Sequence, residues 1–520
     1  MGKIINIITT PEEGYNSFAL EDWLNKENYL SKEFPYFTLK KRSVDARGRT
    51  IKMQLSVELL EQESTLDNKA WHKGKLINVT NKPEVHIIGA GPAGYFCALQ
   101  CIENGFKPIL LERGKEVQAR RIDLANISKK HIVNPDSNYC YGEGGAGTYS
   151  DGKLYTRSKK RGSVQKVLEQ LVAHGATAEI LIDAHPHIGT NKLPKVIEEI
   201  RTSILSSGGE IHFGTSLLDF EIKNNKISQL ITNKGSMPCS HVVLATGHSA
   251  RDIYYLLERK KVLIEPKPFA LGVRVEHQQK LIDKIQYKTE DRGKYLPAAS
   301  YALVHNVIHE KTSEGVFSFC MCPGGFIVPA ATSEGEVVVN GMSPSKRDSK
   351  FSNSGIVVTV NDKDFAQYSK FGNLRALEFQ ADIEKKNFEL AGKSQKACGQ
   401  LLTDFIDNKV SNSLPICSYQ PGLTSVNLKE ILPSKIDDVL RKGFIEFGKK
   451  MKGYLTDEAV LVGVESRTSS PVKIPRDKDT LQHPQIKNLF PCGEGGGFAG
   501  GIVSAAIDGM NCADAILALG

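Results

Sequence analysis

Three glycines and one acid in the segment 85–114 have the spacing of a dinucleotide-binding turn. An apolar strand precedes Gly89, Gly91 and Gly94, a helical stretch follows them, and a second strand ends at Glu112. The GxGxxG pattern permits a tight turn, then close approach of a pyrophosphate to the backbone, then close packing of helix on strand. The free amides at the start of the helix attract phosphate, and the acid accepts hydrogen bonds from ribose hydroxyls.

Two further glycine-rich strings, "YGEGGAGTYSDGKL" at 141–154 and "PCGEGGGFAGG" at 491–501, lie far apart in the chain. Glycine loses much conformational freedom on folding, so a globular protein concentrates it where the backbone must approach something closely. We interpret both strings as loops that enclose the ribityl chain and the ring of a flavin. The dipole of a helix after Gly501 would stabilise the negative charge of a reduced flavin. A surface turn is the alternative for each loop.

Two features favour FAD among the dinucleotides. The apolar strand in "HVVLATGHSARD" (241–252) ends in Ala-Thr-Gly, which is typical of Rossmann-type FAD domains where the chain passes the cofactor. The segment 486–516 has the pattern strand, glycine loop, apolar helix, as in the last FAD-contacting motif of the glutathione-reductase type. We therefore predict FAD, bound non-covalently.

The sequence does not identify the electron donor. One GxGxxG lies in a complete strand–turn–helix–strand unit, and a separate NAD(P) domain is not evident. NADH or NADPH would then bind transiently in the substrate cleft. A substrate or a redox partner protein is the alternative source of electrons.

The predicted FAD-binding residues belong to the glycine-rich loops, to the acid and arginines around the second strand, and to the Ala-Thr-Gly strand end. They are Gly89, Gly91, Pro92, Ala93, Gly94, Glu112, Arg113, Arg120, Gly144, Gly145, Ala146, Gly147, Ser150, Asp151, Gly152, Lys153, Ala245, Thr246, Gly247, Gly493, Glu494, Gly500, Gly501 and Ile502. No metal is predicted, because the ten cysteines form no CxxC and no Cys/His spacing indicates zinc.

Several strings resemble a known family, the uncharacterised FAD-dependent dehydrogenases of bacteria and plastids described as NAD(FAD)-utilising. The resemblance covers most of residues 36–520. Besides the glycine-rich strings, it rests on "RSVDAR" (42–47), "PHIGT" (186–190), "FALGVRVEH" (269–277), "FCMCPGGFIVPAATSEG" (319–335), "VNGMSPSKRD" (339–348) and "VESRTSSPVKIPRD" (464–477). The resemblance implies an FAD domain interrupted by a substrate domain, and it implies no particular substrate.

The predicted fold class is α/β. A Rossmann-type FAD-binding domain of the glutathione-reductase kind is assigned to 81–264 and 456–520. A mixed α+β substrate or cap domain, 265–455, interrupts it. Residues 1–80 are predicted to form a small α+β module with a strand, a helix and a hairpin.

Four side chains are candidates for chemistry beside the flavin ring. In "ALGVRVEH", Arg274 and Glu276 share one face of a strand that could roof the flavin. Arg274 would bind an anionic substrate there, and Glu276 or His277 would move protons. Arg467 precedes the last flavin loop and could contact the flavin or a bound anion. The alternatives are a surface Arg–Glu pair for the first two and a structural salt bridge between domains for Arg467.

Cys320 and Cys322 form a CxC motif. Two thiols are too few ligands for a metal site. A redox-active pair and buried packing are both open. A disulfide between residues this close is strained, which favours packing.

Composition excludes several classes of protein. The 520 residues are 40% hydrophobic and 24% charged, as in globular proteins. We find neither an apolar run long enough for a membrane span nor the pattern of a signal peptide, and free thiols suit a reducing compartment, so a cytoplasmic location is expected. The net charge of +8 is dispersed over many charged side chains, and we expect no nucleic-acid partner.

The sequence therefore predicts an FAD-dependent oxidoreductase that transfers hydride to or from flavin N5, with an unknown small-molecule substrate. Two other classes stay open. One is a flavoprotein that modifies RNA, which a strongly basic face around the cleft would favour. The other is a non-catalytic flavin-binding scaffold with the N-terminal module as its partner site.

Overall fold

The structure is a computed structural model that describes residues 2–63, 70–156, 162–289 and 291–519. Strands alternate with helices, in keeping with a mixed α/β chain. The strands are β1 Lys3–Thr9, β2 Tyr36–Asp45, β3 Lys52–Leu60, β4 Glu84–Ile88, β5 Lys107–Glu112, β6 Glu210–Phe213, β7 Leu217–Lys223, β8 Lys226–Thr232, β9 Gly235–Pro238, β10 Val242–Leu244, β11 Glu265–Pro266, β12 Phe269–Gln278, β13 Val304–His309, β14 Thr312–Cys322, β15 Phe326–Pro329, β16 Val339–Met342, β17 Phe351–Val360, β18 Ala397–Leu401, β19 Leu423–Ser425, β20 Val460–Glu465, β21 Val472–Lys473 and β22 Leu489–Pro491.

The helices range from single turns to more than four turns. They are α1 Pro11–Tyr15, α2 Ser17–Lys26, α3 Pro92–Glu103, α4 Val117–Lys130, α5 Val164–Ala173, α6 Leu193–Ser206, α7 Arg251–Arg259, α8 Gln279–Tyr287, α9 Arg375–Leu390, α10 Leu402–Asp407, α11 Ser434–Lys450 and α12 Ile502–Ala518. Within the described part of the chain, we find no helix with the length and apolar character required to cross a bilayer.

A five-stranded parallel sheet brings the predicted motifs together. Its order is β22-β10-β4-β5-β6, and every neighbouring pair is parallel. The strands are short and apolar, and β4, β10 and β22 are almost entirely buried, as expected of a sheet covered on both faces. Because the carboxyl ends of parallel strands share one edge, the turns after β4, β5, β10 and β22 meet there.

Helices α3 and α12 pack against each other at backbone distance. A Cβ built on Gly509 of α12 would lie 2.0 Å from the carbonyl oxygen of Ala93 in α3. A Cβ on Gly94 would lie 1.9 Å from the carbonyl oxygen of Gly89. The contact between Gly509 and Ala93 holds the C-terminal glycine loop, which leads into α12, against the dinucleotide turn, which leads into α3.

A seven-stranded sheet, β13-β14-β17-β12-β20-β18-β19, forms the second large unit. Strand β12 lies in its interior, antiparallel to both β17 and β20. Helices α8, α9 and α11 contribute to the apolar core packed on this sheet. Strand β20, Val460–Glu465, falls in a segment that the domain prediction gave to the FAD domain. The predicted boundary at 456 thus divides this sheet, because strand pairing with β12 is set by tertiary contacts.

The N-terminal residues form the three-stranded antiparallel sheet β1-β3-β2, covered by α1 and α2, with its own apolar core. The predicted strand, helix and hairpin are all present. Arg42 joins this unit to the rest of the chain. Its side chain is buried, donates to Asp183 Oδ1 at 2.7 Å and lies 4.1 Å from the ring centre of Tyr15.

Candidate active site

A cavity of about 420 Å³ lies at the carboxyl edge of the parallel sheet. Its walls come from the dinucleotide turn, the first glycine-rich loop, the Ala-Thr-Gly strand end and the C-terminal glycine loop. The predicted FAD-binding residues that line it are Gly89, Gly91, Pro92, Ala93, Glu112, Arg113, Gly145, Ala146, Gly147, Ser150, Asp151, Gly152, Lys153, Ala245, Thr246, Gly247, Glu494, Gly500, Gly501 and Ile502. Segments that are hundreds of residues apart therefore face one space.

Four predicted contacts, Gly94, Arg120, Gly144 and Gly493, are not among the described residues that line the cavity. Arg120 is fully buried and donates to the carbonyl oxygens of Asn138, Glu143 and Gly145 at 2.7, 2.9 and 2.9 Å. Its Nε and Nη1 thus hold the first glycine-rich loop and the residue Asn138 just before it, while Nη2 is buried without a hydrogen-bond partner in the described structure.

The turn after β4 has the shape of a phosphate cradle. Gly89 has a φ of +105°, and a Cβ there would lie 2.5 Å from the carbonyl oxygen of Ala245. Gly91 is different, because its φ is −78° and the nearest protein atom to a Cβ is 3.9 Å away. The open side of Gly91 faces the cavity, and α3 begins at the next residue with its first amides free of intrahelical acceptors. This geometry fits a pyrophosphate.

The Glu112 carboxylate is buried and already accepts three backbone hydrogen bonds. The amides of Ala90, Gly114 and Gly142 donate to it at 2.9, 2.8 and 3.0 Å. It therefore ties the turn after β4, the turn after β5 and the first glycine-rich loop together. A carboxylate has about four acceptor positions, so a ribose hydroxyl would share it with these amides.

Glu494 is the titratable group of the C-terminal loop that faces the cavity. Burial raises the pKa of its carboxyl to about 7, although the Ser470 amide donates to it at 3.2 Å and Lys267 lies nearby. Burial in turn lowers the pKa of the Lys267 ammonium. A carboxyl that titrates near neutrality can take up or release a proton at physiological pH.

Glu494→Gln should stabilise the ligand-free protein increasingly as pH rises. The folded-state pKa lies above the ordinary value of 4.5, so the wild type loses stability between about pH 4.5 and pH 7, where the carboxyl is ionised in the unfolded chain but still protonated in the folded one. Glutamine does not ionise. The unfolding midpoint of the variant should exceed that of the wild type by several degrees at pH 8 and by little at pH 5. A constant difference across this range would contradict the raised pKa.

Arg467 lines the cavity, as predicted, but its charge is compensated. Its guanidinium donates to Glu336 at 2.6 Å and to Glu384 at 2.8 Å. Arg251 donates to the same two carboxylates, at 2.7 and 2.6 Å. Burial would raise the pKa of Glu336, yet Arg467 and Arg251 hold it at about 2. Two arginines and two glutamates form one buried network, the structural salt bridge that was the alternative for Arg467.

Arg274 and Glu276 do not line the cavity in the described structure, and the prediction that they face the cleft is wrong. Arg274 is fully buried, pairs with Glu465 and donates to Asn353 Oδ1 at 2.9 Å. Glu276 accepts from the Ser418 amide at 2.8 Å. Both side chains are enclosed because β12 has a strand on each side and packed elements on both faces. The argument for an anionic substrate from two free arginines therefore fails.

The cavity also contains side chains that the predicted set omits. They include Cys140, Tyr141, Tyr155, His248, Asp252, Phe319, Cys320, Asn340 and Thr468. Burial and the charge of Arg467 lower the pKa of His248 to about 4, so its imidazole is neutral. His248 directly follows the Ala-Thr-Gly motif, and that position could have indicated it. Cys320 stood out in the sequence only as half of the CxC motif.

A second cluster, outside the cavity, unites Cys492, Asp508 and Cys512, whose ligand atoms lie within 4.8 Å of one another. Arg476 donates to the two oxygens of Asp508 at 2.6 and 2.9 Å and lies 3.8 Å from Cys512 Sγ. The guanidinium supplies the positive charge of this cluster, which we therefore interpret as an ion pair.

Comparisons with known proteins identify two domain families and one relative that spans nearly the whole chain. Residues 268–468 match the family model described as FAD-dependent protein, C-terminal domain-like, and residues 1–60 match a domain of unknown function. An uncharacterized protein of Clostridium beijerinckii is 40% identical over 532 residues, which cover 99% of this chain and 98% of the relative.

Solved structures show weaker similarity. The complex of CtdE with FAD is 11% identical, with a TM-score of 0.32 and coverage of 84% of each chain. Glycine oxidase from Bacillus cereus is 14% identical, with a TM-score of 0.31 and coverage of 84% of this chain and 96% of that one.

Proposed function

This chain belongs to the same family as the uncharacterized Clostridium beijerinckii protein, and from that premise we propose that it is an FAD-dependent oxidoreductase with FAD held non-covalently in the cavity. The family model for FAD-dependent proteins, matched by residues 268–468, supports the cofactor. The observation that carries the proposal is the convergence on one cavity of the dinucleotide turn, the Ala-Thr-Gly strand end and the C-terminal glycine loop.

The residues present would hold FAD along the cavity. Gly91 and the N-terminus of α3 would receive the pyrophosphate, because the backbone there is open and its amides are free. Glu112 would receive the adenosine ribose. The N-terminus of α12, which begins at Ile502, would face the flavin ring. On this proposal the parallel sheet is a Rossmann-type domain of the glutathione-reductase kind, with the seven-stranded sheet as the substrate domain.

When bound, FAD supplies two-electron chemistry as hydride transfer at flavin N5. The chain supplies position, charge and protons. The dipole of α12 stabilises negative charge that develops beside its first turn. Glu494, with its pKa near 7, holds or releases a proton at the carboxyl oxygen that faces the cavity. The compensated Arg467 network closes one wall against water without adding net charge.

The electron source can be identified by anaerobic reduction. Purified protein would be mixed separately with NADH, NADPH and candidate small-molecule substrates while the flavin absorbance is followed. Bleaching by a nicotinamide supports transient binding of that donor, and bleaching by a metabolite identifies the substrate class. If no donor or partner extract reduces the flavin, the scaffold alternative is favoured.

The cofactor itself gives a direct prediction. Acid precipitation of the purified protein should release FAD into the supernatant, because the cradle binds through backbone and hydrogen bonds and no flavin attachment motif is evident. Chromatography against FAD and FMN standards identifies the released flavin. A yellow pellet would indicate covalent attachment, and release of FMN would contradict the dinucleotide cradle.

A further inference from the structure

Cys320 leaves the regular pattern of its strand and lines the cavity. The pairing of β14 with β17 shifts register between Phe319 and Cys322, and Cys320 has a φ of +45°. Cys320 is half-buried and belongs to the cavity lining, whereas Cys322 is fully buried behind it. Cys320 itself has this left-handed conformation, so the segment that carries the two thiols is not a regular extended strand.

One ammonium group contacts both sulfurs. Lys153 Nζ lies 3.9 Å from Cys320 Sγ and 3.8 Å from Cys322 Sγ. Arg274 donates to the Cys320 carbonyl oxygen at 2.8 Å and lies 3.9 Å from Cys322 Sγ. The Cys322 thiol has one proton, which points toward the Cys320 carbonyl oxygen, 3.2 Å from Cys322 Sγ, and is shared with Cys320 Sγ.

The charges around the thiols favour one thiolate. The positive groups are Lys153, Arg274 and Arg347, and the negative groups are Asp151 and Glu465. Burial raises the pKa of Glu465 to about 7, so at least one excess positive charge remains, which a thiolate would balance. A hydrogen bond from Cys322, together with Lys153 and Arg274, lowers the pKa of Cys320 well below its ordinary range, whereas the bond to Cys320 and burial raise that of Cys322. This division suits an attacking and a resolving thiol.

We propose that Cys320 and Cys322 are a redox-active dithiol of this cavity, with Cys320 as the attacking thiol, Cys322 as the resolving thiol and a small disulfide or dithiol as the substrate class. The proposal rests on the proposed function, because reduced FAD would be the two-electron donor that restores the dithiol.

The reaction is thiol–disulfide exchange and balances without a further reagent. The Cys320 thiolate attacks one sulfur of a disulfide R–S–S–R, forms a Cys320–S–R bond and releases RS⁻. Cys322 then attacks Cys320 Sγ, the Cys320–Cys322 bond forms and a second RS⁻ leaves. The proton of the Cys322 thiol passes to one departing thiolate, and the other takes a proton from water, because Cys320 reacts as a thiolate. Overall, R–S–S–R is reduced to two RSH, and the protein dithiol is oxidised by two electrons.

The test uses the purified, FAD-containing protein, 2-hydroxyethyl disulfide as a probe small enough for the cavity, and mass mapping of the cysteine peptides. The wild type should lose two hydrogens in the peptide with Cys320 and Cys322. Cys322→Ser should instead retain a mercaptoethanol adduct on Cys320, and Cys320→Ser should show neither product. Cys417→Ser is the matched control, because Cys417 is half-buried and is not part of the described lining, and it should behave as the wild type.

A stable adduct on Cys320 in the wild type would contradict the proposed dithiol, because Cys322 would then not act as the resolving thiol. Absence of any product at these residues would also overturn it. FAD content is read separately from the absorbance spectrum, so disulfide formation in protein without flavin supports the pair and contradicts the proposed function.

A second measurement needs no variant. In the wild type, alkylation of Cys320 by iodoacetamide should change little between about pH 6 and pH 8, whereas an ordinary thiol gains roughly tenfold per unit in this range. A tenfold rise per unit at Cys320 would contradict a thiolate, whatever the variants show.

Discussion

Gly94→Ala is expected to yield a protein without bound FAD and with an unfolding free energy lowered by more than about 3 kcal/mol. The new Cβ would lie 1.9 Å from the carbonyl oxygen of Gly89 and 3.1 Å from its carbonyl carbon. Both atoms are backbone, so no side chain can rotate away. Relief requires α3 to move from β4, which disrupts the phosphate turn. Urea unfolding and the flavin absorbance of the purified variant measure the two effects.

Gly91→Ala is the matched variant in the same turn. Its Cβ would meet no protein atom closer than 3.9 Å, and its φ of −78° suits alanine, so the fold should keep its stability. The methyl group would instead occupy the approach of the pyrophosphate. We expect FAD to bind about 10- to 100-fold more weakly, the loss of roughly one charge-assisted hydrogen bond. Unchanged FAD affinity in Gly91→Ala would refute the phosphate cradle.

Gly315→Ala controls for the substitution itself. Gly315 lies in β14, away from the cavity, and the nearest atom to a Cβ there is Asn306 Oδ1 at 3.8 Å. Neither FAD content nor the unfolding midpoint should change. If Gly94→Ala resembled this control, the close packing of α3 against β4 would be wrong.

Arg467→Met is expected to destabilise the protein by about 3–5 kcal/mol. The substitution keeps most of the side-chain volume but removes the guanidinium that donates to Glu336 and Glu384, both nearly inaccessible to solvent. Two buried carboxylates would then share Arg251 alone. One negative charge would remain uncompensated, which is costly in a medium of low dielectric constant. Denaturant unfolding at neutral pH measures the loss.

The dependence of unfolding stability on pH in the acid range tests whether loss of the Arg467 ion pairs causes this destabilisation. In the wild type, the network contributes stability above the ordinary carboxyl pKa and loses it as pH falls toward about 2, because the pKa of Glu336 is depressed. Without Arg467 that depression should shrink, so the variant should lose less stability on acidification. Arg47→Met is the control, because its side chain is 85% exposed and pairs with Asp45 at the surface. An equal effect in both variants would refute the buried network.

The dinucleotide turn and its acid could be predicted because their determinants are local. Gly89, Gly91 and Gly94 act within one turn. The hydrophobic pattern of the adjacent residues predicts the strand before them and the helix after them. The two glycine-rich loops were predicted to meet for a different reason, because each was interpreted as enclosing part of one flavin. In the structure both loops line one cavity.

The roles of Arg274, Glu276 and Cys320 could not be read from spacing. The alternation of β12 is the same for an edge strand and an interior strand, and only the pairing with β17 and β20 buries Arg274 and Glu276. Cys320 meets Lys153 across 167 residues of sequence.

The sequence by itself therefore determined the strand–turn–helix unit at 85–114 and the glycine-rich loops. The tertiary structure decided which charges face the cavity and which are compensated. The physical reason is the separation in sequence between the groups that interact. Backbone conformation and turn geometry depend on adjacent residues, whereas the burial and charge state of a side chain depend on groups that long-range packing brings within a few ångströms, as Glu336 and Glu384 do for Arg467.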